Sequence, residues 1–236
     1  MAVLEPFWLD DVNSNPIAAA DTGLVRRNIS LASQVAGVLY LLMGERGIGR
    51  YVDVAGGHGL FTRLMRDLGF DFYWVDLYCK NILSQGFEYE QEIGACRAVT
   101  AFEVLEHLQN PAEFIQDALS MSGAHTILFS TELYDGIPPQ PDDWPYYAFA
   151  NGQHIAFYQR RTLERLAANL GLYFVSANGL HIFSKKRINE QLLGLVTSIL
   201  SPCVALWIRF HLGSKTVSDH KLIIDRTHYI SRQTDS

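Results

Sequence analysis

The stretch Tyr51-Val52-Asp53-Val54-Ala55-Gly56-Gly57-His58-Gly59 decides the fold. Its first part is a short apolar run of strand length, and its glycines let the backbone turn tightly and approach a ligand. Residues 60–68 follow with helical spacing, so the free N–H groups of a helix start face the loop. A strand, a glycine loop and a helix in this order predict a ligand site at the carboxyl end of a parallel sheet.

The same alternation of strand and helix continues on both sides of this stretch. After an irregular arm at residues 1–28, the pattern predicts helices at 29–43, 60–68, 111–121 and 162–170, and strands at 50–54, 71–76, 96–102 and 125–131, with a short further strand near 86–88. Residues 173–177 and 180–183 flank Asn178-Gly179, a hairpin signal. We therefore predict a doubly wound α/β fold, mostly parallel, with helices on both faces and a terminal antiparallel hairpin.

Three segments follow from this pattern. They are an N-terminal arm and helix (1–47), a ligand-binding domain (48–186) and an apolar helical C-terminal extension (187–236). The last contains a distinct segment at 188–213, in which Leu192–Leu212 is nearly uncharged and is interrupted by Pro202 and Arg209. Two interpretations stay open for it: a helical hairpin packed on the domain, or peripheral contact with a membrane.

Composition excludes several classes of protein. The chain has 236 residues, of which 48% are apolar and 19% charged, and these values are typical of a globular domain. Its formal charge of −6 argues against a general nucleic-acid binder. The three cysteines form no metal-finger spacing, and the first ten residues lack the pattern of a secretory signal. We expect a cytoplasmic protein.

Two classes of cofactor compete for the glycine loop. A dinucleotide site requires G-x-G-x-x-G/A, and Thr62 stands at the third position after Gly57 and Gly59. The alternative cofactor has no pyrophosphate but carries an ammonium group and a ribose. It requires one acid near the loop, which Asp53 supplies, and another at the end of the second strand, where Asp76 can accept from both ribose hydroxyls.

These residues resemble motif I of class I S-adenosylmethionine-dependent methyltransferases, written D/E-x-G-x-G-x-G, with Ala55 at the place of the first glycine. Residues 102–108 (Phe-Glu-Val-Leu-Glu-His-Leu) resemble the segment that follows the fourth strand of that family. The resemblance implies a seven-stranded sheet and S-adenosyl-L-methionine as cofactor. The residues predicted to contact it are Asp53, Ala55, Gly56, Gly57, Gly59, Asp76, Leu77, Phe102, Glu103 and Val104.

A metal site is a further hypothesis. Glu103, Glu106 and His107 have the spacing i, i+3, i+4, which places them on one face if the segment is helical. The pattern Glu-x-x-Glu-His is similar to that of ubiquinone-biosynthesis O-methyltransferases and of small-RNA 2′-O-methyltransferases. This resemblance implies magnesium-type binding beside the acceptor hydroxyl, with His154 as the fourth ligand. Many members of the wider family carry the same string without a metal, so a purely structural role stays open.

The acceptor side follows the fifth predicted strand. Residues 132–153 form a long loop in which Glu132, Trp144, Tyr146 and Tyr147 are candidate substrate contacts. His154 is the candidate general base, because histidine titrates near neutral pH. The segment 153–158 (Gln-His-Ile-Ala-Phe-Tyr) resembles bacterial methyltransferases found with glycan assembly genes. We expect methyl transfer to a hydroxyl of a small molecule or glycan. The alternatives are an RNA or protein methyltransferase and a non-catalytic binding module, and the sequence leaves the oligomeric state open.

Overall fold

The structure is a computed structural model that describes residues 21–148 and 154–234, with side chains as far as residue 226. Its helices are α1 (Leu24–Gly37), α2 (Leu60–Asp67), α3 (Pro111–Ser122), α4 (Arg160–Asn169), α5 (Glu190–Val196), α6 (Ser201–Leu212) and α7 (Thr216–Thr234). Its strands are β1 (Arg50–Val54), β2 (Asp71–Val75), β3 (Ala98–Phe102), β4 (Thr126–Ser130), β5 (Tyr173–Ala177) and β6 (Leu180–Ser184).

The six strands form one sheet in the order β2-β1-β3-β4-β6-β5. The first four are parallel, and β6 runs antiparallel to both β4 and β5. The hairpin around Asn178-Gly179 is present, but its antiparallel strand lies inside the sheet and β5 forms the edge. The α/β architecture with a mostly parallel sheet is therefore confirmed.

The prediction of seven strands is wrong for the residues that the structure describes. The segment between β2 and β3 pairs with the sheet only through an isolated parallel bridge between Trp74 and Glu88. The backbone N–H of Trp74 donates to Phe87, and that of Tyr89 donates to Trp74. Gly86 before this bridge and the short 3₁₀ turn Gln91–Ile93 after it leave no room for a full strand.

Helices cover both faces of the sheet because its central strands are apolar on both sides. On one face α1, α2, α5 and α6 pack against a cluster that contains Tyr51 and Phe72, whose rings stack at 5.2 Å. On the other face α3 and α4 pack against Val99 and Ile127. Helices α1, α5 and α6, which lie outside residues 48–186, thus share a core with the central domain.

Several element boundaries differ from the predicted ones. Helix α1 begins at Leu24, inside the segment predicted to be an irregular arm, and continues into a π-helical turn at Val38–Leu42. Residues 1–20 lie outside the described residues. Helix α3 begins where predicted, because Asn110 caps it by accepting from the backbone of Glu113 and Pro111 occupies the first turn.

Among the described residues, no single helix has the length and apolar character needed to cross a membrane. The pair α5 and α6 meets that criterion only when taken together, and the two helices are bent by 83° relative to each other.

Candidate active site

The glycine loop joins β1 to α2 at the carboxyl end of the sheet. Ala55, Gly57 and Gly59 all have positive φ, of 54°, 54° and 85°. A Cβ atom at Gly57 would meet no atom within 4 Å, so the space above this glycine is open. A Cβ at Gly59 would lie 2.3 Å from the Ser84 hydroxyl, because the segment after β2 folds over that position.

Asp53 supports the loop from below. Its carboxylate is 2% exposed, accepts from the Thr100 hydroxyl at 2.7 Å and lies 3.4 Å from the Thr62 hydroxyl. Burial raises the pKa of Asp53 to about 7, because the charged form is poorly solvated there. The predicted contact of Asp53 with an ammonium group stays a prediction, and its observed partners are the two threonines.

Asp76 follows β2 and connects two loops. Its carboxylate accepts from the backbone N–H of Gly57 at 2.9 Å, of Tyr78 at 2.7 Å and of Cys79 at 2.8 Å. A carboxylate has about four acceptor positions, so three backbone donors leave one of them open. The next residue, Leu77, is 88% exposed.

Glu103 occupies the carboxyl end of β3 and also has a positive φ, of 55°. Its backbone N–H donates to the Ser130 hydroxyl, which in turn donates to the Glu103 carboxylate at 2.6 Å. The Nε atom of Arg27 in α1 lies 3.9 Å from the same carboxylate. Sequence reasoning missed Ser130 and Arg27. The position of Ser130 at a strand end was an available signal, whereas Arg27 offered none.

A cavity of about 460 Å³ lies beside Glu103. Helix α1, the carboxyl ends of β3 and β4, and the β5–β6 turn form its wall, and most of the lining residues are polar: Arg27, Ser30, Leu31, Gln34, Glu103, Ser130, Thr131, Glu132, Leu133, Ser176, Asn178, Gly179 and His181. Of the predicted acceptor residues, the structure places Glu132 in this wall.

The predicted aromatic residues form a separate cluster next to the cavity. Trp144 packs against Tyr146 and Tyr147, with ring centroids 5.2 and 5.0 Å apart. Two hydrogen bonds connect this cluster to the cavity wall: the Trp144 indole donates to Glu132 at 2.7 Å, and the hydroxyls of Tyr146 and Thr131 are 2.9 Å apart.

Three of the four predicted metal ligands come together. Potential ligand atoms of Glu106, His107 and His154 lie within 4.8 Å of one another. Glu103 is not part of this group, because only Leu105–His107 forms a helical turn and the positive φ of Glu103 directs its carboxylate toward Ser130. The helical spacing predicted for Glu103, Glu106 and His107 is therefore wrong at its first residue.

Glu106 lies in an unusual environment for an acidic residue. It is 0% exposed, and among the described residues neither of its carboxylate oxygens has a hydrogen-bond partner. Burial and, to a smaller extent, the charge of Glu103 raise the pKa of Glu106 to about 7. The neighbouring hydroxyls of Tyr146 and Thr131, which are 2.9 Å apart, lower this pKa by a smaller amount.

His154 is oriented by a backbone contact. Its Nδ1 lies within hydrogen-bond distance of the Tyr146 carbonyl, which can only accept, so Nδ1 carries the proton and Nε2 carries the lone pair. Burial lowers the pKa of His154, which favours the neutral ring. His181 is different, because both of its ring nitrogens are engaged, one with Ser176 and one with the Thr131 carbonyl.

Comparison with known proteins gives the family. Residues 26–177 match the family described as methyltransferase domain. The chain belongs to this methyltransferase family. The matched region contains the glycine loop, Asp76, Glu103 and the histidine cluster. No curated protein matches the sequence.

Solved structures are similar to this methyltransferase at low sequence identity. The crystal structure of TnmH is 14% identical and has a TM-score of 0.50, over 75% of this chain and 61% of TnmH. The mitomycin 7-O-methyltransferase MmcR is 15% identical with a TM-score of 0.47, over 74% of this chain and 59% of MmcR. Magnesium protoporphyrin IX methyltransferase of Synechocystis PCC 6803 is 11% identical with a TM-score of 0.45, over 79% of this chain and 100% of that enzyme. The chain thus spans about 60% of the length of the first two.

Proposed function

We propose that this methyltransferase transfers a methyl group from S-adenosylmethionine to a hydroxyl of a small molecule or glycan. One observation carries the proposal: the open space above Gly57 and the carboxylate of Asp76 lie at the same edge of the sheet as a polar cavity lined by Glu103 and Glu132. Methyl transfer chiefly requires that donor and acceptor meet in line, and adjacent sites at one sheet edge supply that.

The residues present fit the proposed cofactor. The remaining acceptor position of Asp76 suits a ribose hydroxyl, and a second hydroxyl would displace one of the backbone donors. Exposed apolar side chains follow Asp76 and offer a surface on which an adenine ring can pack: Leu77, Tyr78, Ile82 and Leu83. Bound S-adenosylmethionine would supply an activated methyl group, and the chain has to hold it and exclude water.

The cavity favours an acceptor rich in hydroxyl groups. Its wall offers hydrogen-bond acceptors at Glu103 and Glu132 and further polar side chains at Ser30 and Gln34. Two carboxylates in the wall repel the phosphates of RNA, so an RNA acceptor is the weaker alternative. A protein acceptor is the other alternative, and a screen of acceptors with labelled cofactor distinguishes the three.

His154 is the candidate that receives the acceptor's proton. The Tyr146 carbonyl fixes Nδ1–H, and the lone pair on Nε2 is the one that can accept a proton. We expect His154→Ala to lower turnover more than it weakens cofactor binding.

A metal ion at Glu106, His107 and His154 is a second proposal for the same site. The fully buried, unpartnered carboxylate of Glu106 supports it, because a buried charge without a partner is costly and a cation would neutralise it. Two imidazoles and one carboxylate favour a transition metal such as Zn²⁺ or Mn²⁺ over the Mg²⁺ that the sequence resemblance implies. A bound metal would lower the pKa of an acceptor hydroxyl.

Independently of methyl transfer, we also propose that residues 188–213 contact a membrane surface. The cytoplasmic location expected from the sequence stays a prediction.

The proposed function is tested by calorimetric titration with S-adenosylmethionine and S-adenosylhomocysteine, with and without chelator. We expect binding by the unmodified chain and at least about tenfold weaker binding by Asp76→Ala, because hydrogen bonds to a charged group are lost. Asp117→Ala, which removes an exposed acid on α3, is the matched control. Thermal unfolding of each variant checks that the fold is kept. Equal affinity of Asp76→Ala, or no binding by the unmodified chain, would contradict the proposal.

A further inference from the structure

The outward faces of α5 and α6, with the turn between them, carry seven large exposed apolar side chains, here called the α5–α6 surface: Leu192, Leu195, Ile199, Leu200, Leu206, Trp207 and Phe210. Ile199 is 94% exposed and Phe210 is 81% exposed. Single exposed apolar residues are ordinary, but a group of this size close together in the chain is typical of a binding surface.

The inward faces of the same helices hold them on the domain. Leu193, Val196, Ala205 and Ile208 are buried in the core cluster that includes Leu39 of the turn after α1. The Asn178 side chain donates to the Gly194 carbonyl at 3.1 Å and to the Thr197 hydroxyl at 3.0 Å. The exposed apolar side chains therefore lie on helices that are already packed against the domain. Binding a partner through them requires no further folding.

The segment that contains this surface differs in charge from the whole chain. Residues 185–215 contain five basic side chains and one acidic side chain, whereas the whole chain has a formal charge of −6. The one acid, Glu190, is paired with Arg160 at 2.8 Å. Lys185, Lys186 and Arg209 are exposed. An exposed apolar face in a segment with an excess of basic residues, of which Arg209 lies on α6 beside Phe210, matches an anionic lipid surface, which attracts basic residues and accepts apolar ones.

We infer that the α5–α6 surface binds anionic phospholipid membranes by inserting Ile199 and Phe210 below the headgroups. Trp207 has the amphipathic ring that favours the membrane–water boundary. The helices lie on the membrane and do not span it, because α5 and α6 are short and bent by 83°.

The α5–α6 turn adjoins the cavity beside Glu103. The Gln34 side-chain amide, which lines the cavity, reaches the carbonyls of both Asn178 and Thr197 at 3.4 Å. Asn178 lines the cavity too. Binding through Ile199 would thus hold the cavity close to the headgroups, which makes a hydroxyl on a lipid-linked molecule the acceptor class that fits. This last step rests on the proposed function, whereas membrane binding does not.

The test is flotation of the full chain with vesicles of phosphatidylcholine alone and of phosphatidylcholine mixed with phosphatidylglycerol. We expect flotation with the mixed vesicles that decreases with added salt, and little with the neutral ones. The double variant Ile199→Ser/Phe210→Ser should lower the partition coefficient about tenfold or more, since two inserted apolar side chains are lost. Ile48→Ser is the matched control, because Ile48 is 70% exposed and lies far from α5 and α6 in the chain.

Four outcomes would overturn the inference: no flotation with either vesicle, equal flotation with both, an equal loss in Ile48→Ser, or a dimer that the double variant dissociates. The last would assign the surface to a second copy of the chain. Cofactor titration of the unmodified chain and of the double variant separates the two claims, because the double variant should keep the cofactor affinity of the unmodified chain. Flotation without cofactor binding would support membrane binding and contradict the proposed function.

Discussion

Ala55 and Glu103 adopt left-handed backbone at the carboxyl edge of the sheet. Ala55 directly follows β1 and Glu103 directly follows β3, with φ of 54° and 55°. A Cβ in this region costs roughly 1–2 kcal/mol, and such strain persists where the surrounding structure holds it, often at functional sites. For Glu103 the holding contacts are those with Ser130. Ala55 has no side-chain group that could compensate.

Ala55→Gly should therefore stabilise the protein. We expect the free energy of unfolding to rise by about 1 kcal/mol, because glycine accepts positive φ without the Cβ contact. Urea denaturation measures the change. The exposed Ala168 in α4 is the control, since Ala168→Gly should have the opposite sign and cost about 1 kcal/mol. If Ala55→Gly and Ala168→Gly lowered the free energy of unfolding by similar amounts, the backbone at residue 55 would not be strained.

The buried acid Glu106 should make stability depend on pH. Its pKa is raised from 4.5 to about 7 in the folded chain, so the folded state binds its proton more tightly than the unfolded state does. Stability is then fully present below about pH 4.5, and the free energy of unfolding should fall as pH rises toward 7. Glu106→Gln should flatten this fall, measured by urea denaturation over a pH series.

Asp53 provides the comparison, because its pKa is raised in the same direction and Glu106→Gln leaves it in place. If a divalent metal flattens the pH profile of the unmodified chain but not that of Glu106→Gln, the metal proposal is supported. An unchanged profile in Glu106→Gln without metal would contradict the assigned pKa.

At the scale of elements, the strands and helices that flank the glycine loop were predictable from periodicity. The apolar run of β1 has few alternatives, because a glycine loop and a helix follow it. The sequence predicted a short strand near residues 86–88, but residues 77–95 have no clear periodicity, so it could not show that this segment forms only an isolated bridge at Glu88. The backbone conformation of Glu103 was not predictable for a different reason. Helical spacing does not reveal a residue with left-handed backbone that precedes a short turn.

Helix α7 is anchored by an ionic cluster. The Asp219 carboxylate accepts two hydrogen bonds from Arg66 at 2.8 Å and one from Arg63 at 2.9 Å, and the Arg66 side chain is 4% exposed. The Arg66 guanidinium also lies 3.7 Å from the centre of the Phe87 ring. Asp219 thus joins the last helix to α2 and to the segment that borders β2.

We expect Asp219→Ala to lower the free energy of unfolding by about 3 kcal/mol, because it leaves a buried guanidinium without its main partner. Chemical denaturation measures the loss, and limited proteolysis should show earlier cleavage within α7. Asp225→Ala removes an exposed acid from the same helix and should change stability by less than about 0.5 kcal/mol. Similar effects of the two variants would mean that the cluster does not anchor the helix.

At the scale of the whole molecule, the cavity could not be predicted from the sequence. Its wall takes Arg27 and Gln34 from α1, Glu132 from the loop after β4 and Asn178 from the β5–β6 turn. These residues share no spacing, since the order of strands in the sheet brings them together. His154 and Glu106 were predictable as a pair only through the family resemblance, and the absence of Glu103 from their group required the structure.

The contacts of Arg66 with Asp219 join residues 153 positions apart. A chain emerging from the ribosome therefore completes β2 and its bridge long before the helix that borders them has been made. Arg66 and the Gly86 carbonyl, which accepts a hydrogen bond from Arg226 in α7, lack their partners in α7 until residues 219 and 226 have been synthesised. Closing contacts of such long range is slow, so the nascent chain is most exposed to misassociation in this interval.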